Sequence, residues 1–287
     1  MRTKKDPIFQ EQFGHNGEKY YMLVEELLGG TNFCYDDILG IKFPIFEMSV
    51  EGFIDGKETY IYSMTDKLLP KDCQNGEEFM WRMHSRIPIE LKEILKKRVT
   101  KINQSLGAFM GCSHTEFRIE EVSCSTDADI EFSGKFYRAR LIETALRPGG
   151  AFMQSAILMA TGFNSIRAMA NQACGINIKE QVLYRYPMIM ANIWSKKSGT
   201  ITKIENLDKI LSLKENVAAF HLYDGIGDVV QIPPEASRGV ADIVLWGKAV
   251  NLLACPNWEI GSKKNNLYKD VENLYLNVVE DFNIIVK

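Results

Sequence analysis

Several features that define common protein classes are missing from this chain of 287 residues. The six cysteines are scattered and form no Cys-x-x-Cys pair, so neither a zinc site nor a disulfide framework is indicated. No stretch of about 18 apolar residues is present, as a membrane-spanning helix requires. The first residues contain no apolar run and do not resemble a signal peptide. We therefore expect a cytoplasmic protein with reduced thiols.

A block of basic residues is also missing. The chain has 34 basic and 37 acidic residues, spread along its length, for a net charge of −3. Nucleic acid is therefore not an expected partner. The hydrophobic content of 46% is ordinary for a globular protein, and the length suffices for one large domain or two modest ones.

The first half of the chain shows alternating signals for strands and loops. We predict a strand over residues 20–28, followed by a polar, irregular insertion over residues 31–44. Asp55-Gly56 then separates two strand-like runs, residues 45–54 and 58–64. This pattern is typical of a β-hairpin.

Further along, the pattern predicts a long loop, then a helix and two strands. Residues 66–88 carry few apolar side chains and are predicted to form the loop. Residues 89–106 show helical periodicity, and residues 109–122 and 134–144 are predicted strands. The apolar stripe of the helix consists of Leu91, Ile94, Leu95, Val99, Ile102 and Leu106.

The remainder of the chain begins with helical patterns and then changes character. Residues 151–162 and 165–173 are predicted helices. Beyond Gly175, short apolar runs separated by Gly and Pro indicate a small sheet-rich region. A last helix is predicted within residues 265–282.

The stretch from Leu141 to Gly150 carries the strongest chemical signal. Because side chains alternate along a strand, Glu143, Ala145 and Arg147 should point the same way. A carboxylate suits a hard cation such as Mg²⁺, and a guanidinium suits phosphate or carboxylate oxygens. The alternative is a salt bridge between Glu143 and Arg147 at the strand end.

Four motifs in this order resemble the later half of an ATP-grasp ligase, over about residues 20–175. They are Val-Glu-Glu-Leu-Leu-Gly-Gly from Val24, Glu-Met-Ser-Val-Glu-Gly-Phe-Ile-Asp-Gly from Glu47, His-Thr-Glu-Phe-Arg from His114, and Ile-Glu-Thr-Ala-Leu-Arg-Pro-Gly-Gly from Ile142. Each motif alone is weak, and their order makes them specific. The tail is more loosely similar to the C-terminal subdomain of the L-amino-acid (dipeptide) ligase branch.

The resemblance implies an α+β fold, with an ATP-grasp core of antiparallel sheet and helices and a small C-terminal sheet-rich subdomain. It divides the chain into a lead-in (residues 1–19), the ATP-grasp C-terminal lobe (residues 20–178) and the subdomain (residues 179–287). The N-terminal αβ domain and the lid lobe of such a ligase are expected to be absent.

The resemblance also implies a nucleotide site. The adenine hinge falls on Glu25, Glu26 and Leu28, and the ribose-binding carboxylate on Glu47. The alternatives are an edge strand with solvated glutamates for the hinge and an ordinary exposed strand residue for Glu47.

The resemblance further assigns a metal site and a catalytic arginine. Glu116 and Glu143 match the carboxylates that hold Mg²⁺ against the nucleotide phosphates, and Arg147 matches the arginine that steadies the transferred phosphoryl group. Ala145 replaces the asparagine usual there, a change that also occurs in the L-amino-acid ligase branch. His84 matches a loop histidine over the reacting centre, with a solvated histidine as the alternative.

Two further residues are near these motifs. Lys67 could touch a phosphate, but a surface lysine is the preferred interpretation. His114 shares the strand face of Glu116, and structural packing is its default role.

The implied function is ATP-dependent carboxylate–amine ligation through an acyl phosphate, with ATP and Mg²⁺ as cofactors and amino acids as plausible substrates. The chain could be a truncated ligase, or a subunit that needs a partner chain for the missing N-terminal half; a homodimer is also possible. No nucleic-acid or membrane partner is expected. The alternative is a non-catalytic remnant that binds nucleotide or acts as a scaffold.

Overall fold

A computed structural model of the protein describes most of the chain beyond residue 33. The described residues are 34–38, 41–56, 58–68, 80–85, 87–132, 134–150, 152–176, 186–213, 216–232, 235–236, 238–247 and 269–287. None of the helices in these segments is both long and apolar enough to cross a membrane.

The predicted hairpin at Asp55-Gly56 is confirmed. Strands β2 (Ile41–Asp55) and β3 (Glu58–Leu68) pair antiparallel around it. Gly56 has φ +63°, a conformation that glycine adopts without a steric penalty. The prediction of an irregular insertion over residues 31–44 is wrong for the described residues of that range, because β1 (Cys34–Ile38) pairs antiparallel with the start of β2.

The long loop predicted over residues 66–88 is wrong at both ends. Strand β3 continues to Leu68, and β4 (Met80–Met83) pairs with it. Polar residues misled the prediction, since Asp66 and Arg82 lie opposite each other and form a buried ion pair of 2.9 Å. A charged pair that is buried can occupy strand positions that resemble a loop in the sequence.

The predicted amphipathic helix is confirmed as α1 (Ile89–Ser105). Its buried side includes Leu91, Leu95 and Val99. Leu106, the last member of the predicted stripe, is 55% exposed because it caps the end of the helix.

The middle of the chain follows the predicted pattern closely. It contains β5 (Met110–Val122), a 3₁₀ turn (Ser125–Asp127), β6 (Ile130–Phe132), β7 (Lys135–Ala145), α2 (Met153–Thr161) and α3 (Ser165–Ala173). The Asn164 side chain caps α3 by accepting a hydrogen bond from the Arg167 backbone N–H.

The last part of the described chain is rich in strands. It contains β8 (Met188–Ile193), β9 (Gly199–Glu205), α4 (Leu207–Ser212), β10 (Val217–Leu222), β11 (Val229–Val230), β12 (Ala241–Trp246), α5 (Lys269–Asp281) and β13 (Asn283–Val286). The helix predicted within residues 265–282 is thus confirmed over the range of α5.

Ten strands form one sheet, ordered β10-β12-β8-β4-β3-β2-β5-β7-β6, with β1 also on β2. A second sheet is ordered β11-β9-β13. All of the described pairs are antiparallel, so the fold is the expected α+β arrangement. Strands from both sides of residue 178 join in the large sheet, because β8 pairs with β4. The three-part division of the chain remains a prediction.

Apolar side chains cover both faces of the large sheet. One face buries Met48, Val50 and Phe117 in a cluster that includes residues of α1. The other face buries Phe53, Tyr62 and Cys112 in a cluster that includes residues of α2. Polar side chains continue this second face beyond the cover of α2.

Candidate functional site

The register of four strands brings polar side chains onto one face of the sheet. On β5, His114 and Glu116 lie opposite Glu51 and Ser49 of β2. Because residues i and i+2 share a strand face, these side chains project from the same side. Glu47, on the same face of β2, lies opposite Lys67 of β3.

Lys67 joins two of these carboxylates. Its Nζ lies 3.1 Å from Oε1 of Glu47 and also binds Oε1 of Glu116. Arg118 binds the other oxygen of Glu47 at 3.1 Å. Lys67 is only 5% exposed, so the preferred interpretation as a surface lysine is wrong. Glu47 is half-buried, so its alternative as an exposed strand residue is wrong too.

His114 links Glu116 to a third carboxylate, that of Glu51. Its Nδ1 lies 2.6 Å from Oε1 of Glu51, and its Nε2 lies 2.9 Å from Oε1 of Glu116. The pKa of His114 is about 9, so at neutral pH the imidazole is protonated and both ring nitrogens donate. His114 therefore does more than fill space. Glu51, which the sequence analysis missed, could have been found from its i+4 spacing to Glu47 along β2.

Opposite charges in this cluster stabilise each other's ionised forms. Burial lowers the pKa of His114, but its hydrogen bonds to Glu116 and Glu51 outweigh burial and raise it to about 9. Burial raises the pKa of Glu116, but His114 and Lys67 outweigh burial and lower it to about 2. Glu116 is therefore an ionised carboxylate at neutral pH.

Glu116 and Glu143 lie directly opposite each other on the antiparallel strands β5 and β7. The register shifts beside this pair, because Phe117 lies opposite Leu141 and Ile142 is the extra residue. Side chains directly opposite in an antiparallel pair lie on the same face. The structure thus brings together the two residues that the sequence analysis assigned to a metal.

The two carboxylates retain oxygens that could bind a cation. Oε1 of Glu116 takes the bonds from both Lys67 and His114, whereas Oε2 takes none from the described residues. Glu143 is exposed and makes no side-chain hydrogen bond or ion pair with a described residue. No group of three or more His, Cys, Asp or Glu in the described segments could hold a metal. Two carboxylates fit Mg²⁺ where phosphate and water complete its octahedron.

Arg147 lies two residues beyond the end of β7. Its side chain is exposed, and Nη1 donates to the carbonyl oxygen of Pro148 at 3.0 Å. Within the described part of the chain it forms no ion pair, so the alternative of a strand-end salt bridge with Glu143 is not formed.

The turn after Arg147 packs on the buried ion pair of His114 and Glu51. A Cβ atom added to Gly149 would lie 3.1 Å from Nδ1 of His114 and 3.4 Å from Oε2 of Glu51. It would also lie 3.0 Å from Cγ of Met153. A side chain at this position would therefore require these neighbours to move by a few tenths of an ångström.

The other predicted site residues are distributed differently. His84 directly follows β4 and is 2% exposed, so its alternative as a solvated histidine is wrong. Its proposed place over the reacting centre remains a prediction. Glu25, Glu26 and Leu28 lie outside the described residues.

The segment that follows Arg147 reaches strand β10. Phe152, three residues after Gly149, has its ring centroid 6.4 Å from that of His221 on β10.

Neither family models nor curated proteins match this chain. Solved structures do. The L-amino acid ligase of Bacillus licheniformis has a TM-score of 0.63 at 18% identity, covering 84% of this chain and 54% of its own. The phosphoribosylglycinamide synthetase of Anaerococcus prevotii has a TM-score of 0.57 at 14% identity, covering 84% and 53%.

The chain spans about half the length of both of these structures, with 54% and 53% covered. It has the fold of such ATP-grasp ligases and corresponds to the C-terminal part of their chains. At these identities the likeness extends to the fold alone.

Proposed function

We propose that this chain is the metal- and nucleotide-binding part of an ATP-dependent carboxylate–amine ligase. The observation that carries the proposal is the cross-strand pair of Glu116 and Glu143, with its unoccupied carboxylate oxygens. Glu143 faces Glu116 without an ion pair to a described residue, and Arg147, four residues further along, also forms none; such uncompensated charges favour a ligand-binding role.

In this reaction a substrate carboxylate attacks the γ-phosphate of ATP, giving an acyl phosphate and ADP. An amine then displaces phosphate to form an amide or peptide bond. Oε2 of Glu116 and the carboxylate of Glu143 would hold Mg²⁺. When bound there, the ion supplies positive charge that neutralises phosphate oxygens.

Arg147 is the proposed catalytic cation. Its guanidinium is exposed and forms no ion pair with a described residue, so it is available to a phosphoryl group. The planar fork of donors fits such a group at two points and would stabilise charge that develops during transfer.

Lys67 and His114 are proposed to prepare the metal site. Their bonds to a single oxygen of Glu116 keep this carboxylate ionised and leave the other oxygen for the ion. They also offset the repulsion between Glu116 and Glu143.

The remaining assignments complete the proposal. Glu25, Glu26 and Leu28 would form the adenine hinge. Glu47 would bind the ribose, since each of its oxygens has a further lone pair besides those used by Lys67 and Arg118. Amino-acid substrates, a cytoplasmic location, and a partner chain or second copy that completes the site belong to the same proposal, as does a role of His84 over the reacting centre.

Calorimetry with ATP and ADP, with Mg²⁺ or with EDTA, tests the proposal. We expect weak binding that requires Mg²⁺ and that Glu143→Gln reduces at least about tenfold, because removal of one charged ligand weakens the metal site. Glu121→Gln is the matched control, since Glu121 lies on β5 and pairs with Lys135 away from the site. Tight binding in EDTA, or equal loss in both variants, would overturn the metal assignment.

The non-catalytic alternative has one observation in its favour. Lys67 and His114 already neutralise Glu116, as in a purely structural ion cluster. A folded chain that binds neither nucleotide at millimolar Mg²⁺ would support this alternative over the ligase.

A further inference from the structure

A second polar cluster lies on the same face of the large sheet as Glu116. It consists of Asp242 on β12, His221 on β10, Tyr223 just after β10, and Phe152; we call it the Asp242 cluster. Asp242 lies directly opposite His221 in the β10–β12 pair. It shares its strand face with Val244, which belongs to the apolar cluster that includes residues of α2.

One oxygen of Asp242 lacks a hydrogen-bond donor. Asp242 is 7% exposed, and its Oδ2 accepts a hydrogen bond of 2.5 Å from the Tyr223 hydroxyl. Its Oδ1 is buried and accepts no hydrogen bond from any described residue. Buried polar atoms nearly always have a partner, because an unpaired one has lost its hydration without compensation. Oδ1 of Asp242 can therefore accept a hydrogen bond from one further donor, which the described residues do not supply.

The aromatic neighbours of Asp242 favour a cation as that donor. The His221 ring lies edge-on to both Tyr223, at 4.5 Å, and Phe152, at 6.4 Å. Arg238 already lies over the Tyr223 ring, at 4.7 Å from its centroid. Aromatic faces attract cations, and a carboxylate among them adds a charged acceptor.

The donor set suits an ammonium group better than a metal ion. Asp224, the other carboxylate of this region, is held by both guanidinium nitrogens of Arg238, at 2.8 and 2.9 Å. One free carboxylate oxygen is a weak site for Mg²⁺, which is usually held by one or two carboxylates together with phosphate oxygens and water. A primary ammonium carries three donors, of which one would bind Oδ1 of Asp242 and the others would face the aromatic rings, the polar side chain of Asn192 opposite Asp242, or water.

We propose that the Asp242 cluster binds the primary ammonium group of an amino-acid substrate, with Oδ1 of Asp242 as the acceptor. The proposal rests on the proposed ligase function and names a substrate subsite within it. Phe152 follows Arg147 by five residues, so a ligand held here lies beside the segment that carries the catalytic arginine. Tyr223, whose hydroxyl binds the same carboxylate, is 39% exposed, so the cluster reaches the surface at this residue.

Titration with L-alaninamide, followed by NMR, tests this subsite. L-Alaninamide carries the ammonium group without a carboxylate, and propionamide is the same probe without the ammonium. We expect saturable shifts of the His221 imidazole signals, readily resolved among four histidines, with L-alaninamide only. Asp242→Asn should weaken this binding at least tenfold, because the amide keeps the shape and loses the charge. Asp208→Asn, an exposed change on α4, should leave it unchanged.

Each outcome decides the question. Equal binding of both probes, no saturable shift at His221 up to about 50 mM L-alaninamide, or unchanged affinity in Asp242→Asn would overturn the subsite. Should Asp242→Asn fail to fold, the comparison of the two probes on the natural protein still decides. The titration contains neither nucleotide nor Mg²⁺, so its result is separate from the calorimetric test of the ligase function.

Discussion

Nδ1 of His114 lies 2.6 Å from Oε1 of Glu51, and the Glu51 side chain is completely buried. Removal of one partner from a buried ion pair leaves an uncompensated charge, which typically costs about 3–5 kcal/mol. We therefore expect Glu51→Gln to lower the free energy of unfolding by about 3 kcal/mol in urea titrations. Glu93→Gln, which breaks an exposed pair with Lys96 on α1, should cost less than about 1 kcal/mol. Similar losses in both variants would contradict the buried pair.

Two adjacent glycines provide a matched test of the turn that follows Arg147. A methyl group at Gly149 would press on His114, Glu51 and Met153, whereas one at Gly150 would meet no atom within 4 Å. Gly149→Ala should cost about 1–3 kcal/mol, as overpacking does. Gly150→Ala should change stability by less than about 1 kcal/mol. Thermal unfolding measures the stability of both variants. Equal stability would show that the turn does not pack on the ion pair of His114 and Glu51.

Local patterns in the sequence predict much of this fold. Asp55-Gly56 predicts the hairpin because its conformation depends on neighbouring residues alone. The period of apolar residues predicts α1, although the exposed Leu106 shows that the period does not give the helix end. Strand β4 was missed because its four residues follow a largely polar stretch over residues 71–78 and include Arg82, which pairs with Asp66 of β3. Only the sheet register shows that these charges face each other.

In the candidate site, too, the sequence predicts some features, whereas others depend on pairing between distant strands. The resemblance to ATP-grasp ligases assigns Glu116 and Glu143 to a metal site, but their direct opposition depends on the shift at Ile142, which alternation alone does not reveal. Lys67 has the sequence context of a surface lysine, and its burial follows from pairing with strands distant in the chain. Long-range pairing therefore decides what local patterns leave open.

Burial should protect Cys112 from alkylation. Burial raises the pKa of the Cys112 thiol from 9 to about 11, whereas Cys124 and Cys174 are exposed. Since the thiolate is the reactive form, iodoacetamide at pH 8 should modify the exposed pair and spare Cys112 until denaturant is added. Because the pKa is raised in the folded state, the neutral thiol's contribution to stability is kept below pH 9 and lost as pH rises through 11. Mass spectrometry of the peptides would show the order, and equal labelling of Cys112 would contradict it.

The last prediction concerns Arg147, whose proposed contact forms only during phosphoryl transfer. Arg147→Lys keeps the charge but loses the planar fork, so Mg²⁺-dependent ADP binding should change by less than about threefold. Turnover should fall by about 10²-fold or more, the usual loss for one donor to a developing charge. ADP release with pairs of amino acids, measured with the chain and the partner that completes its cleft, provides the rate. Arg140→Lys is the control, because Arg140 pairs with Glu120 within β7 and β5. Unchanged turnover in Arg147→Lys would show that the arginine has no catalytic role. Loss of ADP binding would show instead that Arg147 contacts the bound nucleotide outside the transfer step.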